Sequence, residues 1–269
     1  MQKTATIPFR IINNRSVLAA IWYTFCAGSS MMVLVYYLPI WFQAIKGVSP
    51  VHSGIMNLPA LLGITIASIT AGLLTKTIGY YAPLMLAGAT IMPIGAGLIS
   101  TFTTHTNHSA WIGYQALWGI GMGLGMQQPS VAVQTVLEKK DVPTGASLVF
   151  FAQGIGGALF TSLANNLIDN ALKQGLRTIP GIDADIVTNI GATNLRHLVP
   201  PQQLESVLVV YNLAIRRAFY IAAAVAAAAM LGALAVEWKS IKAGEGQGRK
   251  AQGGVGKSVE EKEAKKESV

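Results

Sequence analysis

Charge is scarce in this sequence: 12% of its 269 residues are Asp, Glu, Lys or Arg, while 52% are hydrophobic. A soluble domain carries about 25% charged residues. The few charges gather at the ends and in one internal stretch, which leaves long uncharged tracts. A tract of about 20 apolar residues crosses the ~30 Å hydrocarbon core of a bilayer. The composition therefore excludes an ordinary soluble domain and points to an integral membrane protein. Cysteine is nearly absent: Cys26 stands alone, so no intrachain disulfide can form. Residues 1–15 lack the apolar core of a signal peptide. No Ser/His/Asp or Cys/His constellation is present to support covalent catalysis, so an enzyme is not expected. Acidic residues are fewer than basic ones, 12 against 20, for a net charge of +8. Much of that excess flanks apolar tracts, where it marks the cytoplasmic side of a membrane rather than a nucleic-acid partner.

Six spans with no charge in their middle follow one another: Val17 to Phe42, Gly54 to Thr75, Pro83 to Phe102, Trp111 to Leu137, Ala146 to Ile168 and Ala218 to Trp238. Each must be helical, because lipid offers no partner to an unpaired backbone group. The expected fold is thus an all-α membrane protein with six transmembrane helices in one bundle, residues 16–238, after a cytoplasmic linker at 1–15. The one long connection is an outer loop at 169–217, with Pro180, Gly181, Pro200 and Pro201. Within it Leu204, Val207, Leu208, Tyr211 and Ile215 fall at helical spacing, as a surface helix or as an extension of the sixth span. Residues 239–269 are polar, rich in Gly, Lys and Glu, and read as a disordered cytoplasmic tail. With the N-terminus inside, fourteen Lys and Arg lie on the inner side and six on the outer. Five of those six belong to or border the long loop, whose vote on topology is weak, so both termini are expected in the cytoplasm.

The fourth span carries GIGMGLGMQQP, residues 119–129. Gly119 with Gly123, and Gly121 with Gly125, make two small-xxx-small pairs that let helix backbones approach. Pro129 should kink the helix about one turn earlier. The tract does not fit G-x-G-x-x-G and follows no strand, so a dinucleotide is not expected. In the fifth span Phe150, Gln153, Gly157, Thr161 and Asn165 recur at spacings of three and four, one small and polar stripe on an apolar helix. Gln115, Trp118 and Met122 share a face of the fourth span. Asn57 sits at the outer end of the second, and Tyr36, Tyr37 and Gln43 in the outer third of the first. Two roles are open to such groups: lining a watery substrate cavity, or joining helices by hydrogen bonds. Gln115, Trp118, Gln153, Asn57, Tyr36, Tyr37, Gln43 and Gln128 are the candidate cavity residues; Gly119, Gly121, Gly123, Gly125 and Gly157 are the candidate packing residues.

Several segments together resemble the C-terminal half of the fungal-type fourteen-helix drug:proton antiporters of the major facilitator superfamily. They are NNRSVLAA (13–20), YYLPIWFQAIKGVSP (36–50), SGIMNLP (53–59), IGYQALWGIGMGLGMQQP (112–129) and FFAQGIGGALF (150–160). The stretch Gly72 to Leu84 is similar to the family's G-x-L-x-x-x-x-G loop, with Lys76 where an acidic residue is usual and Tyr80-Tyr81 where basic ones are. The resemblance implies one six-helix bundle of a two-bundle transporter, with a midplane cavity lined by the first, second, fourth and fifth spans. It implies export of small amphipathic compounds in exchange for protons, in the plasma membrane or alternatively the vacuole. No Asp, Glu, Lys, Arg or His lies mid-span, so the protonation site is expected in an N-terminal half that this sequence lacks. Met1 opens onto what resembles the linker before the ninth family helix, which suggests a fragment, a mis-started gene or a true half-transporter. The alternative is a half that does not transport and serves as a membrane binding or regulatory partner.

Two remaining signals carry little. His105 and His108 lie three apart without a third ligand nearby, so no metal is expected. AQGGVGKS, residues 251–258, looks like a phosphate loop but has no strand before it and no core around it, so no nucleotide cofactor is expected.

Overall fold

The computed structural model describes residues 9–182 and 199–241. The AQGGVGKS stretch, the tail from 242 onward, His197 and the middle of the long loop lie outside the described residues. The described chain is helical. It comprises α1 (Phe9–Ile12), α2 (Arg15–Trp41), a π-helical turn (Phe42–Lys46), α3 (Pro50–Met56), α4 (Leu58–Ile78), α5 (Ala82–Ile99), α6 (His108–Met126), α7 (Gln128–Val136), α8 (Val142–Leu176) and α9 (Pro201–Ala235). Among the described residues, five stretches are long and apolar enough to cross a bilayer: 15–46, 50–78, 82–99, 142–176 and 201–235. The protein is therefore a multi-pass membrane protein.

The predicted fourth span is α6 followed by α7, interrupted at Gln127. Pro129 has no N–H, and the ladder is lost just before it. The side chain of Gln128 sits at this break: its Nε2 donates to the Leu124 carbonyl at 3.3 Å, and its Oε1 accepts from Thr75 Oγ1 of α4 at 3.1 Å.

Neighbouring helices pack in the order α4, α6, α5, α9, α2, α8. Strictly alternating glycines of α6 explain the first two contacts. Residues two apart on a helix lie about 200° apart, so the pairs at 119/123 and 121/125 face opposite ways. Gly119 and Gly123 meet the α4 backbone at the carbonyls of Ala60 and Ile64, whereas Gly121 meets the α5 backbone at Met92. From the α5 side, a Cβ on Gly88 would stand 2.7 Å from the Gly125 nitrogen.

The terminal connections are shorter and better packed than the sequence reading expects. The loop 169–217 contracts at both ends: residues up to Leu176 continue α8, and α9 begins at Pro201. The amphipathic piece is thus an extension of the sixth span, held by burial of Val207, Tyr211, Ala214 and Ile215. The linker is not wholly free either. Ile11 is buried with Val17, Ala20, Val133 and Val149, and Arg10 donates to both carboxylate oxygens of Asp141, at 2.6 and 2.8 Å. At the C-terminal side, Ile241 N–H donates to the Gly79 carbonyl at 2.9 Å and Ser240 bridges to Tyr80, so residues 239–241 are part of the fold. Gly79, in the left-handed region at φ 81°, makes the reversal this contact uses. Burial pushes the Tyr81 hydroxyl above its ordinary pKa, and the protonated group donates to the Glu237 carbonyl at 2.5 Å.

At the opposite, loop end, Lys46 donates to the carbonyls of Thr104 and Thr106, at 3.1 and 2.8 Å, and lies over the Trp41 ring. It thereby ties the end of α2 to the α5–α6 connection. Lys46→Met, which keeps the stem and removes the charge, is expected to lower stability by about 1 kcal/mol in a detergent unfolding titration.

Candidate functional site

The eight candidate cavity residues separate into four places. Gln43, Asn57 and Gln115 converge on α3 at the loop end. Gln43 Nε2 donates to Ser53 Oγ at 3.2 Å, Asn57 Nδ2 to the Ser53 carbonyl at 3.3 Å, and Gln115 Nε2 to the Met56 carbonyl at 3.2 Å. These amides tie the first, second and fourth spans together where α3 breaks into α4. Gln128 lies near the opposite end in the α4 contact described above. Trp118 is fully buried against α5, where Gly95 admits it. Gln115, Trp118 and Gln128 are thus enclosed between helices, with 0 to 1% of their surface exposed. Two of their polar atoms, Gln115 Oε1 and Trp118 Nε1, have no hydrogen-bond partner among the described residues.

The remaining residues form a seam between α2 and α8. The small, polar stripe of α8 is laid along it by close packing. A Cβ on Gly28 would stand 2.6 Å from Gln153 Cγ, and one on Gly157 would stand 2.5 Å from Met32 Cγ. Further along, Tyr37 Oη donates to Asn165 Oδ1 at 3.4 Å, and Asn165 Nδ2 to Asp169 at 3.5 Å. Tyr37 is buried, and Tyr36 stands edge-on to it and is 55% exposed. Gln153 is half-buried, and its amide makes no hydrogen bond among the described residues. Phe150, at the start of the stripe, and Phe151, Ile155 and Leu159 beside it are exposed apolar residues of α8. The seam is therefore a narrow polar strip within an apolar surface.

Two features of this region escape a reading of the sequence. Asp169 belongs to α8, not to the loop, because the helix continues two turns beyond the apolar span. Asn212 of α9 is buried, accepts from Trp41 Nε1 at 2.8 Å and donates through Nδ2 to the Phe102 carbonyl at 3.1 Å. Its position in a stretch taken as loop hid it; the helical spacing around Tyr211 is the signal that could have placed it.

Helices broken at proline and glycine, small residues at the crossings and polar groups confined to inter-helix seams define a polytopic α-helical membrane bundle. A profile described as Major Facilitator Superfamily matches residues 2–161. The chain belongs to the major facilitator superfamily. It is 45% identical over 240 residues to the MFS-type efflux pump MFS1 of Arthroderma benhamiae, covering 89% of this chain and 45% of that protein. It is 48% identical over 242 residues to the MFS-type transporter astH of Aspergillus oryzae, covering 90% and 43%. It is 43% identical over 244 residues to the efflux pump aflT of Aspergillus parasiticus, covering 90% and 48%. The chain thus spans less than half the length of each of these relatives.

Proposed function

We propose that this bundle is one half of an exporter of small amphipathic compounds, driven by exchange for protons, and that a matching N-terminal half completes it. The observation that carries the reading is the amide of Gln153. It lies about 16 Å along α8 from Val142, near the middle of a ~30 Å hydrocarbon core, with no hydrogen-bond partner among the described residues. Polar groups at that depth face a bundle interior or a cavity. Family membership and the efflux-pump names of the relatives support the same reading. An apolar surface with one amide strip suits varied amphipathic molecules better than a single polar metabolite. Tyr36, Tyr37, Gln43 and Asn57 are assigned to the outer part of that path. Gln115, Trp118 and Gln128 act on it by fixing the helices that frame it.

The proton-accepting group is placed in the partner half. Among the described residues, the acid nearest the seam is Asp169, toward the loop end of α8 rather than at its middle. Both termini are placed in the cytoplasm, and the plasma membrane is the proposed location. The test is efflux of a fluorescent amphipathic dye from vesicles with an imposed pH gradient. The chain joined to a matching N-terminal half should give gradient-dependent flux, and Gln153→Leu should reduce it about tenfold while Gln153→Asn retains most of it. No flux from the chain both alone and joined would refute the antiport reading and leave a non-transporting membrane partner.

A further inference from the structure

A groove of about 530 Å³ runs between α2 and α9, at the end of the bundle where α2 begins and α9 ends. Leu18, Trp22 and Phe25 of α2 and Leu231 and Ala235 of α9 line it, and Arg15 stands at its mouth. The walls are fixed rather than collapsible. Trp22 Nε1 donates to the Ala228 carbonyl at 2.9 Å, and Gly232 lets the helices touch, since a Cβ there would stand 2.7 Å from the Ala19 carbonyl. The deep end is closed by Phe25, whose ring meets Phe160 of α8 edge-on at 6.0 Å. α8 approaches α9 toward the other end, where Gly175 meets Val210, and contributes nothing to the groove lining.

The mouth has the chemistry of a headgroup region. Arg15 is exposed and its guanidinium makes no hydrogen bond among the described residues. Lys239 pairs with Glu237 at 2.8 Å and Arg15 acts electrostatically on the same carboxylate, so among the described residues the mouth carries one positive charge in excess. Trp238 is 62% exposed beside them, where an indole marks the membrane interface. From Arg15 to Phe25 the helix rises about 15 Å, half of a ~30 Å hydrocarbon core and so the depth of one leaflet.

We infer that this groove binds a phospholipid with an anionic headgroup, one acyl chain lying along Trp22 and Leu231 and the phosphate meeting Arg15. The match of groove length to one leaflet and the excess positive charge at its mouth select this occupant over an amphipathic protein helix. The inference rests on the chain lying in a membrane and not on the transport reading, because bound lipid is measured without flux.

The experiment is native mass spectrometry of the purified full chain from micelles holding equal phosphatidylglycerol and phosphatidylcholine. The unaltered chain should retain phosphatidylglycerol over phosphatidylcholine by about fivefold. Arg15→Gln, a change on the exposed surface, should bring that ratio close to one while lipid is still retained. Ala235→Trp, which fills the groove, should reduce retention of both lipids. Equal retention by the unaltered chain, or a preference that survives Arg15→Gln, overturns the inference.

Discussion

Gly119→Leu is expected to abolish the folded bundle, and Gly119→Ala to destabilise it by about 3 kcal/mol in a mixed-micelle unfolding titration. The reason lies in what surrounds the missing side chain. A Cβ there falls on the carbonyl oxygen of Ala60 and 3.1 Å from the Ile64 nitrogen. Both are backbone atoms of α4, so no rotamer change can make room. The helices must separate, and separation also draws Gly123 away from Ile64 and Ala67. Without a hydrophobic drive between helices in lipid, close packing is the main source of their association. Gly113 of the same helix provides the control, since nothing stands within 4 Å of the Cβ position. Gly113→Leu should change stability by no more than about 0.5 kcal/mol. Equal losses at both positions would show that the α4–α6 contact is not what the glycines maintain.

Asn212→Leu is expected to lower stability by about 2 kcal/mol in the same titration. The substitution preserves volume and apolar contact but removes both halves of one polar exchange. The indole N–H of Trp41 loses its acceptor and the Phe102 carbonyl loses its side-chain donor. Orphaning a buried donor costs about 1–3 kcal/mol, more than the few tenths that a typical inter-helix hydrogen bond contributes within a membrane. Removing the donor as well should therefore relieve part of the loss. Trp41→Phe combined with Asn212→Leu is expected to cost about 1 kcal/mol less than the sum of the single changes. Strict additivity would mean that Asn212 acts through packing alone.

What the sequence revealed follows from how strong each physical signal is. Uncharged spans of membrane length announced themselves, because lipid tolerates neither charge nor open backbone. The two glycine pairs of α6 were legible as packing faces, though not which helix each face meets; that needs the 200° offset and the positions of α4 and α5. The polar stripe of α8 was legible as a stripe, and its register against Gly28, Met32 and Tyr37 was not. The ends of α8 and α9 were misjudged, since outside the apolar span a helix is sustained by tertiary burial such as that of Val207 and Tyr211, which local composition does not report. Asn212 was lost with them. Gln115 and Trp118, polar and mid-helix, gave no local sign that they point between helices.

The proposal that the α2–α8 seam faces the transport path can be tested by thiol labelling. In a chain with Cys26→Ala, a cysteine is placed at Gln153 and, as a lipid-facing reference within the span, at Ile94, which is 53% exposed. The chain is joined to its matching N-terminal half, and the rate of reaction with a membrane-impermeant, water-soluble thiol reagent is measured with and without a transported dye. The account predicts that Gln153→Cys reacts at least about tenfold faster than Ile94→Cys and is protected by the dye, because only a watery path brings the reagent to that depth. Equal, slow reaction at both positions, unaffected by dye, would contradict it.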